Sequence, residues 1–266
     1  MSTLTIPAGD THLHAVDTSG GTSGGTPPLV FVNGGFATLR SWDRVLKCLA
    51  DAHRTVRYDA RARGKSGTSS DYSFRTAVDD VGRVIAATGV ERPILVGWSH
   101  GATTAVRYAA QHPGEISGLV LVDGGFPISM FDDAGKQRVR TQFRRLGPLM
   151  RLAALLGRSA RMTPAQAADL VIELDEVNGT LEADFATLNC PATFVLGTGG
   201  HSGASAQEMA TLRASAARAE QAGRHVSTFT TAPANHLRIL AHSPDLVASA
   251  VASVVEQTAS TGRHCA

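Results

Sequence analysis

The chain has 266 residues, enough for one large domain with an insertion, since a chain of this length buries roughly 70 to 75% of its unfolded surface. Its net charge of +2 gives no reason to expect a nucleic-acid partner, and no apolar run approaches the roughly 20 residues that a membrane-spanning helix needs. Cys48, Cys190 and Cys265 are too widely spaced to suggest a metal site, and the N-terminal residues lack the pattern of a signal peptide, so we predict free thiols and a cytoplasmic protein.

The N-terminal residues predict a β-hairpin, and the rest of the chain predicts a larger sheet. Residues 3–7 and 12–16 flank the turn at 8–10, and a loop rich in Gly, Ser and Thr follows at 18–28. Six short apolar runs predict further strands at residues 29–32, 55–58, 94–96, 118–122, 193–196 and 226–230. Because helical stretches separate most of these runs, the pattern favours an α/β protein with a mostly parallel sheet.

The hairpin also carries Asp10-Thr11-His12-Leu13-His14, which resembles the Asp-x-His-x-His metal signature of amidohydrolases. Two histidines two residues apart on a strand share one face. A metal site of that type also needs an apolar barrel strand before the motif and further ligands in a longer barrel chain, and the sequence shows neither. We therefore predict two surface histidines on an edge strand and no metal site.

The most informative segment is Gly97-Trp98-Ser99-His100-Gly101, which directly follows the apolar run at residues 94–96. A serine that attacks a carbonyl carbon must stand clear of the backbone, and a sharp turn from a strand into a helix provides that geometry when the flanking positions lack a Cβ. Gly97 and Gly101 meet this requirement, and residues 102–111 predict the helix. The five letters alone could arise by chance, but the flanking elements make Ser99 the candidate nucleophile.

A long stretch without strand signals indicates an insertion. Seventy residues separate the run that ends at Val122 from the run that begins at Thr193, far more than a crossover needs. We predict that residues 126–188 form a helical cap with at least three helices. Residues 1–125 and 189–266 would then form the two parts of the α/β core.

Two local signals divide the predicted cap into helices. Gly147-Pro148 is expected to end one helix and begin another. Residues 163–166 have the pattern of a capping box with proline at the first helical position, and the helix that they begin is expected to stop at Asn178-Gly179.

Charges are segregated along the predicted cap. Between residues 136 and 161 basic residues occur without an intervening acid, and between 169 and 184 acidic residues occur without a base. One interpretation is a basic surface that steers an anionic substrate or an acidic carrier protein. The other, which we favour, is that two helical segments pair their charges or face water.

Three segments give the chain a resemblance to the α/β-hydrolase superfamily, which extends from the first hairpin to the last helix. They are the Gly-x-Ser-x-Gly turn around Ser99, the Val-Asn-Gly-Gly-Phe segment at 32–36 with Ser41-Trp42 beyond it, and residues 58–67, which are similar to the family's Asp-x-Arg-Gly-x-Gly-x-Ser turn. Asn33 stands where the family usually has histidine, and Ala62 stands where glycine is common. The resemblance implies the α/β-hydrolase fold, with a mostly parallel central sheet, flanking helices and a helical cap.

In this family, backbone N–H groups hold the negative oxygen that develops during acyl transfer. The resemblance carries these donors over to Gly35 and to His100, the residue after the candidate nucleophile. Neither donor depends on its side chain, so the departure at Asn33 leaves both in place. Phe36 and Trp98 adjoin the two donors and are predicted to contact the substrate.

His236 is the candidate general base. It follows the run at 226–230 and precedes a helix that begins near Ser243-Pro244, which is where the family carries its catalytic histidine. His242 lies nearby but immediately precedes that helix start, so we expect it to point to solvent. The chain order of serine, acid and histidine also matches the family.

The acid departs from the family's commonest pattern. After the strand at 193–196 many relatives carry Gly-x-x-Asp, whereas here Gly200 occupies the acid position and no carboxylate follows until Glu208. Asp123 follows the preceding strand, where haloalkane dehalogenases and some lactonases of the superfamily place the acid. We predict Asp123 as the acid, with Glu208 as its rival and a purely structural role for Asp123 as the other alternative.

Together these roles predict a serine hydrolase with a triad of Ser99, Asp123 and His236. Such an enzyme would cleave an ester, lactone or thioester of a small, largely apolar substrate through an acyl-enzyme, without a cofactor, a metal or a membrane partner. Epoxide hydrolases and dehalogenases of the superfamily use a nucleophilic aspartate, so Ser99 argues against those two branches.

Two other functions stay open. Certain cofactor-independent quinolone dioxygenases share the fold, carry Ser-His-Gly at the same turn and use a His-Asp dyad whose acid follows the same strand as Asp123. Their Trp and His in the first crossover loop have no counterpart at residues 33–36. Hormone receptors with an intact or slow triad also have this fold, so the second alternative is a catalytically slow small-molecule receptor.

Overall fold

The computed structural model describes residues 1–18, 26–49, 53–155, 160–200 and 205–262. Within these residues the strands are β1 (Ser2–Ala8), β2 (Thr11–Asp17), β3 (Leu29–Val32), β4 (Thr55–Asp59), β5 (Ile94–Trp98), β6 (Gly118–Val122), β7 (Ala192–Gly197) and β8 (Val226–Ala232). The helices are α1 (Asp43–Leu49), α2 (Phe74–Thr88), α3 (His100–Gln111), α4 (Asp133–Leu155), α5 (Pro164–Asn178), α6 (Leu181–Thr187), α7 (Ala206–Ala214), α8 (Ala216–Ala222), α9 (Ile239–His242) and α10 (Pro244–Gly262).

The described strands form one sheet in the order β1-β2-β4-β3-β5-β6-β7-β8. β1 and β2 form the predicted antiparallel hairpin, β2 pairs antiparallel with β4, and the remaining neighbours are parallel. The prediction of an α/β protein with a mostly parallel sheet is therefore confirmed. The prediction that His12 and His14 lie on an edge strand is wrong, because β2 is covered by β1 on one side and bonded to β4 on the other.

Helices cover both faces of the sheet, as the complete burial of β3, β5, β6 and β7 requires. All five residues of β5 are buried, and Leu95 faces one apolar cluster while Ile94 and Val96 face the other. The first cluster includes side chains of α2, α3, α6 and α8, and the second includes side chains of α1, α9 and α10. The carboxyl ends of the parallel strands lie along one edge, where open α/β sheets bind their ligands.

Three described helices, α4 to α6, lie between β6 and β7. The prediction that Gly147-Pro148 ends a helix is wrong, because α4 continues through Pro148. A proline inside a helix lacks a backbone donor and leaves the carbonyl four residues earlier without its partner, here that of Arg144. Arg144 and Pro148 are exposed, so water can bond that carbonyl, while Gly147 is buried so close to Pro164 that a Cβ would lie 2.9 Å from its Cγ.

The next helix of this region, α5, begins and ends as predicted. The Thr163 hydroxyl accepts the N–H of Gln166, and the Gln166 side chain accepts the N–H of Thr163 at 2.9 Å, which completes the capping box. The helix stops at Asn178, and Gly179 follows as its C-cap.

Ion pairs connect α4 and α5, as the favoured interpretation of the segregated charges predicts. The Lys136 ammonium lies 2.6 Å from the Glu176 carboxylate, and Arg140 lies 3.6 Å from Asp169. These pairs are at least partly exposed, so each contributes little to stability. Of the basic residues in this run, Arg158 lies outside the described residues.

Cys48 and Cys190 are free thiols, and Cys265 lies outside the described residues, as does most of the predicted loop at 18–28. None of the described helices combines the length and apolar character that crossing a membrane requires.

Candidate active site

Ser99 occupies a sharp turn between β5 and α3. Its φ of 56° and ψ of −120° are unfavourable for a residue with a Cβ, and its N–H donates to the carbonyl of Val122 at 3.0 Å. Such backbone strain is typical of the turn that lifts a nucleophilic serine above an α/β sheet. The predicted turn is therefore present at the carboxyl end of β5.

Three glycines make this turn sterically feasible. A Cβ on Gly97 would lie 2.6 Å from the Cα of Ala102, and one on Gly101 would lie 2.7 Å from the carbonyl oxygen of Asn33. The sequence pattern identified these two positions. It missed Gly124, where a Cβ would lie 2.6 Å from the Cα of Ser99. The signal for this third position was available, because Gly124 directly follows the candidate acid and must pass beside the turn.

The structure brings Ser99, His236 and Asp123 together in one hydrogen-bonded chain. The Ser99 Oγ lies 2.9 Å from Nε2 of His236, and Nδ1 of His236 lies 3.0 Å from Oδ2 of Asp123. An ionised carboxylate only accepts hydrogen bonds, so Nδ1 carries a proton and Nε2 of the neutral ring can accept the serine proton. The arrangement can thus deprotonate Ser99 while it attacks an electrophile.

Asp123 is completely buried and is held by more than one donor. Its Oδ1 accepts the N–H of Gly197 at 3.0 Å, and Nε of Arg213 lies 3.8 Å from the same oxygen. Burial acts to raise the pKa of Asp123, but the hydrogen bond and charge of His236, the Gly197 N–H and the Arg213 guanidinium outweigh burial and place that pKa below its usual value. Asp123 is therefore ionised at neutral pH.

Two glycines at the end of β7 leave the space through which Asp123, which follows β6, reaches the His236 imidazole. A Cβ on Gly197 would lie 3.2 Å from Oδ2 of Asp123, and one on Gly199 would lie 2.8 Å from the Cα of Asn235. Glycine at both positions leaves the space that Asp123 and the histidine loop occupy. The Glu208 carboxylate belongs to the N-terminal cap of α7, where it is exposed and accepts the N–H of Ser205 at 2.6 Å.

Two backbone N–H groups at this edge of the sheet are the predicted oxyanion donors. Among the described residues, neither the N–H of Gly35 nor that of His100 donates a hydrogen bond. His100 is the first residue of α3, whose N-terminal partial positive charge favours an anion there. The residues of the two predicted oxyanion donors lie close together, since a Cβ on Gly35 would lie 3.7 Å from the Cβ of His100, the residue that follows Ser99.

Asn33 fixes the loop that carries Gly35. Its amide nitrogen donates to the carbonyl of Tyr58 at 2.6 Å, and its amide oxygen accepts the indole N–H of buried Trp42 at 2.7 Å. The side chain that replaces the family's usual histidine thus bonds β4 on one side and Trp42 on the other.

Arg63 supports the same loop, and the sequence pattern did not single it out. Its Nε donates to the carbonyl of Gly35 at 2.8 Å, its Nη2 donates to the same oxygen, and its Nη1 donates to the carbonyl of Arg61 at 2.6 Å. Burial lowers the pKa of Arg63 to about 10, still well above neutral. A buried guanidinium that donates twice to one carbonyl restricts the orientation of the Gly35–Phe36 peptide.

The two predicted substrate contacts lie in different surroundings. Trp98 is only 8% exposed, and its indole N–H donates to the carbonyl of His236 at 3.2 Å, so it supports the histidine loop from below. Phe36 is 36% exposed and packs against Phe143 of α4 with a ring separation of 5.7 Å. Direct contact of either residue with a substrate stays a prediction.

The Asp-x-His-x-His motif is used for other contacts. The Asp10 carboxylate accepts the N–H of Ser70 at 2.7 Å and the hydroxyl of Ser69 at 2.7 Å. Within the described ranges, no group of three or more His, Cys, Asp or Glu side chains is arranged to hold a metal ion.

Comparisons with known proteins agree with the fold described above. A family model described as the alpha/beta hydrolase fold matches residues 27–194. The enol-lactonase from Burkholderia xenovorans LB400 has a similar structure, with a TM-score of 0.73 and 18% identity over 95% of this chain and 100% of the other, a likeness that shows the fold alone.

Two curated proteins are similar over part of the sequence. A fluoroacetate dehalogenase from Burkholderia sp is 30% identical over 137 residues, which cover 49% of this chain and 43% of that protein. The pimeloyl-[acyl-carrier protein] methyl ester esterase of Methylococcus capsulatus is 35% identical over 104 residues, or 39% of each chain. The matched part is thus less than half the length of either relative.

Proposed function

Because the chain belongs to the α/β-hydrolase fold family, we propose that it is a serine hydrolase that cleaves an ester, lactone or thioester of a small, largely apolar substrate. One observation carries this proposal: the Ser99 Oγ lies 2.9 Å from an imidazole whose other nitrogen lies 3.0 Å from a buried carboxylate. A serine hydroxyl is a weak nucleophile unless a base takes its proton, and this chain of bonds supplies an oriented base.

The proposed reaction has two halves. The Ser99 Oγ attacks the acyl carbon as its proton passes to Nε2 of His236, and the resulting oxyanion accepts the N–H groups of Gly35 and His100. The tetrahedral intermediate then expels the alcohol or thiol, which takes the proton from His236. Water repeats the sequence on the acyl-enzyme and releases the acid. Each backbone donor contributes on the order of 3 kcal/mol to stabilisation of the transition state.

The names of similar proteins support acyl chemistry without fixing the substrate. A methyl ester esterase and an enol-lactonase both act on acyl–oxygen bonds. The fluoroacetate dehalogenase is a partial match, but the superfamily's dehalogenases use an aspartate where this chain has Ser99. We therefore propose carboxylic ester or lactone hydrolysis rather than dehalogenation.

We also propose that residues 126–188 act as a cap over this site. Two contacts support the proposal. The Phe143 ring of α4 packs on Phe36, and Leu170 of α5 lies so close to Gly35 that a Cβ there would be 3.1 Å from its Cδ2. The apolar character of these contacts is the basis for proposing a largely apolar substrate.

Cofactor-independent dioxygenation is the second candidate, because Asp123 follows β6, where the quinolone dioxygenases carry the acid of their dyad. The short distance between Ser99 and His236 favours hydrolysis instead, since a dyad mechanism does not need the serine.

A substrate panel tests the proposed function. p-Nitrophenyl esters of two to eight carbons, aliphatic lactones and acyl thioesters are assayed in air and under argon. Hydrolysis predicts sustained turnover at equal rates in both atmospheres. Turnover that stops under argon contradicts hydrolysis, and a single turnover followed by arrest supports a slow receptor.

The pH dependence of hydrolysis gives a further prediction. When chemistry limits the rate, kcat/KM is expected to rise with pH, because only the neutral imidazole can accept the serine proton, and then to level off. The lowered pKa of Asp123 keeps that carboxylate ionised above pH 5, so Asp123 adds no second pH-dependent change in kcat/KM in that range. His236→Ala should abolish nearly all turnover and with it the rise of kcat/KM with pH. His242→Ala, which changes an exposed histidine, should keep the turnover and the pH dependence of wild type. A flat wild-type profile from pH 5 to 9 would contradict the assignment of His236.

A further inference from the structure

Arg213 reaches the buried carboxylate of Asp123 from the last turn of α7. Its side chain is 18% exposed, its Nε lies 3.8 Å from Oδ1 of Asp123, and its Nη2 donates to the carbonyl of Gly199 at 2.5 Å. The side chain therefore connects the acid after β6 to the glycine segment after β7.

The Arg213 guanidinium is placed for its charge more than for its hydrogen bonds. Its Nε is buried and has no acceptor among the described residues. A buried donor without a partner costs free energy, so the contact with Asp123 needs a compensating benefit. The compensating interaction is the attraction between a permanent cation and a fully buried anion, which is strong where water is excluded.

The groups around Asp123 differ in when they carry charge. Within the described part of the chain, the groups that lower its pKa are His236, the neutral N–H of Gly197 and Arg213. His236 is charged only when protonated, whereas a guanidinium stays charged at every pH of interest. Glu208, on the same helix as Arg213, is bound to Ser205 and exposed. Arg213 is therefore the one permanent charge that acts on Asp123 in this set.

We propose that Arg213 is a positioning residue, which holds Asp123 and sets the pH at which the Ser99–His236 pair becomes reactive. This inference rests on the proposed serine-hydrolase function. Sequence patterns do not indicate this role, because an arginine near the end of a surface helix is typical of a solvated position.

The direction of the effect follows from the charges. Asp123 stabilises the protonated imidazole, and Arg213 partly neutralises Asp123. Removing the guanidinium charge strengthens the attraction of Asp123 for the imidazole proton. The limb of the pH profile, the range in which reactivity rises with pH, therefore moves to higher pH. The Arg213 guanidinium and the imidazole are separated by the Asp123 carboxylate. At an intermediate dielectric constant, the expected shift of the pH profile is on the order of one pH unit.

The test measures the rate at which a fluorophosphonate probe labels Ser99 from pH 5 to 9, and therefore needs no identified substrate. Arg213→Gln removes the charge and keeps an amide that can donate to Gly199. Its limb is expected to move up by about one pH unit, with labelling at pH 6 about tenfold slower and rates at pH 9 within about threefold of wild type. Arg213→Lys keeps the charge, and its limb is expected within a few tenths of a unit of wild type.

Arg218→Gln is the matched control. It removes the same charge from the neighbouring helix α8, where Arg218 is half exposed and pairs with Glu182 at 2.5 Å. Its limb should coincide with that of wild type. An equal shift in this variant would show a general effect of net charge and would overturn the proposal.

The remaining outcomes separate the two claims. If wild type labels at Ser99 but Arg213→Gln keeps the wild-type limb, or does not fold in a cooperative melt, Arg213 has a structural role and the inference is wrong while the proposed function stands. If wild type does not label at Ser99, the proposed function fails first, and the inference fails with it.

Discussion

Replacing Ser99 by alanine is expected to lower kcat for the best ester of the panel by a factor on the order of 10⁵ to 10⁶. The change removes the atom that lies 2.9 Å from Nε2 of His236, so no acyl-enzyme can form. The loss should appear mainly in kcat, because one hydroxyl contributes little to binding of a largely apolar substrate. Initial rates and KM measured over a range of ester concentrations check the prediction.

The matched control is Ser227→Ala, which removes the hydroxyl of an exposed serine on β8 and should keep wild-type kinetics. Both variants should melt cooperatively near the wild-type temperature, since Ser99 contributes no side-chain cap to α3. If Ser99→Ala keeps most of its activity and that activity requires oxygen, the dioxygenase alternative replaces the hydrolase.

Asp123→Asn is expected to lower kcat by about 10³- to 10⁴-fold with little change in substrate affinity. Asparagine has nearly the same shape, but an amide nitrogen facing Nδ1 favours the tautomer with its proton on Nε2. That tautomer cannot accept the serine proton. Steady-state kinetics together with a melting curve separate this loss from unfolding of the buried site.

Glu208→Gln serves as the comparison, because Glu208 is the next carboxylate after β7. It should leave kcat unchanged, since its carboxylate caps α7 from an exposed position. If Glu208→Gln is inactive while Asp123→Asn is active, the acid comes from the segment after β7. If neither variant loses activity, Ser99 and His236 work as a dyad and Asp123 is structural.

The sheet could be predicted from sequence because its signals are local. Strands buried on both faces appear as short continuous apolar runs, and the hairpin has its turn at Gly9, whose φ is +69°. The turn at Ser99 could be predicted because its five-residue pattern is contiguous and the contacts that require glycine at 97 lie within the turn itself, at Gly101 and Ala102. The contacts that require glycine at 101 come from the end of β3, so only the pattern indicated that position.

The features that the sequence did not predict depend on tertiary contacts. Proline ends many helices, but α4 continues through Pro148 because the carbonyl of Arg144, which loses its partner there, lies on an exposed face. Arg63 and Arg213 resemble solvated arginines in sequence, and only folding buries Arg63 against Gly35 and brings the partly exposed Arg213 beside Asp123. The choice between Asp123 and Glu208 likewise required knowing which carboxylate reaches the imidazole.

Intact-protein mass spectrometry after exposure to a fluorophosphonate tests the central claim most directly. The account predicts one adduct per chain, located on Ser99 by peptide mapping, because a serine activated by His236 is far more reactive than any other hydroxyl. The adduct should be absent from Ser99→Ala and formed much more slowly by His236→Ala. An adduct that persists on Ser99→Ala, or no adduct on wild type after prolonged exposure, would contradict the account.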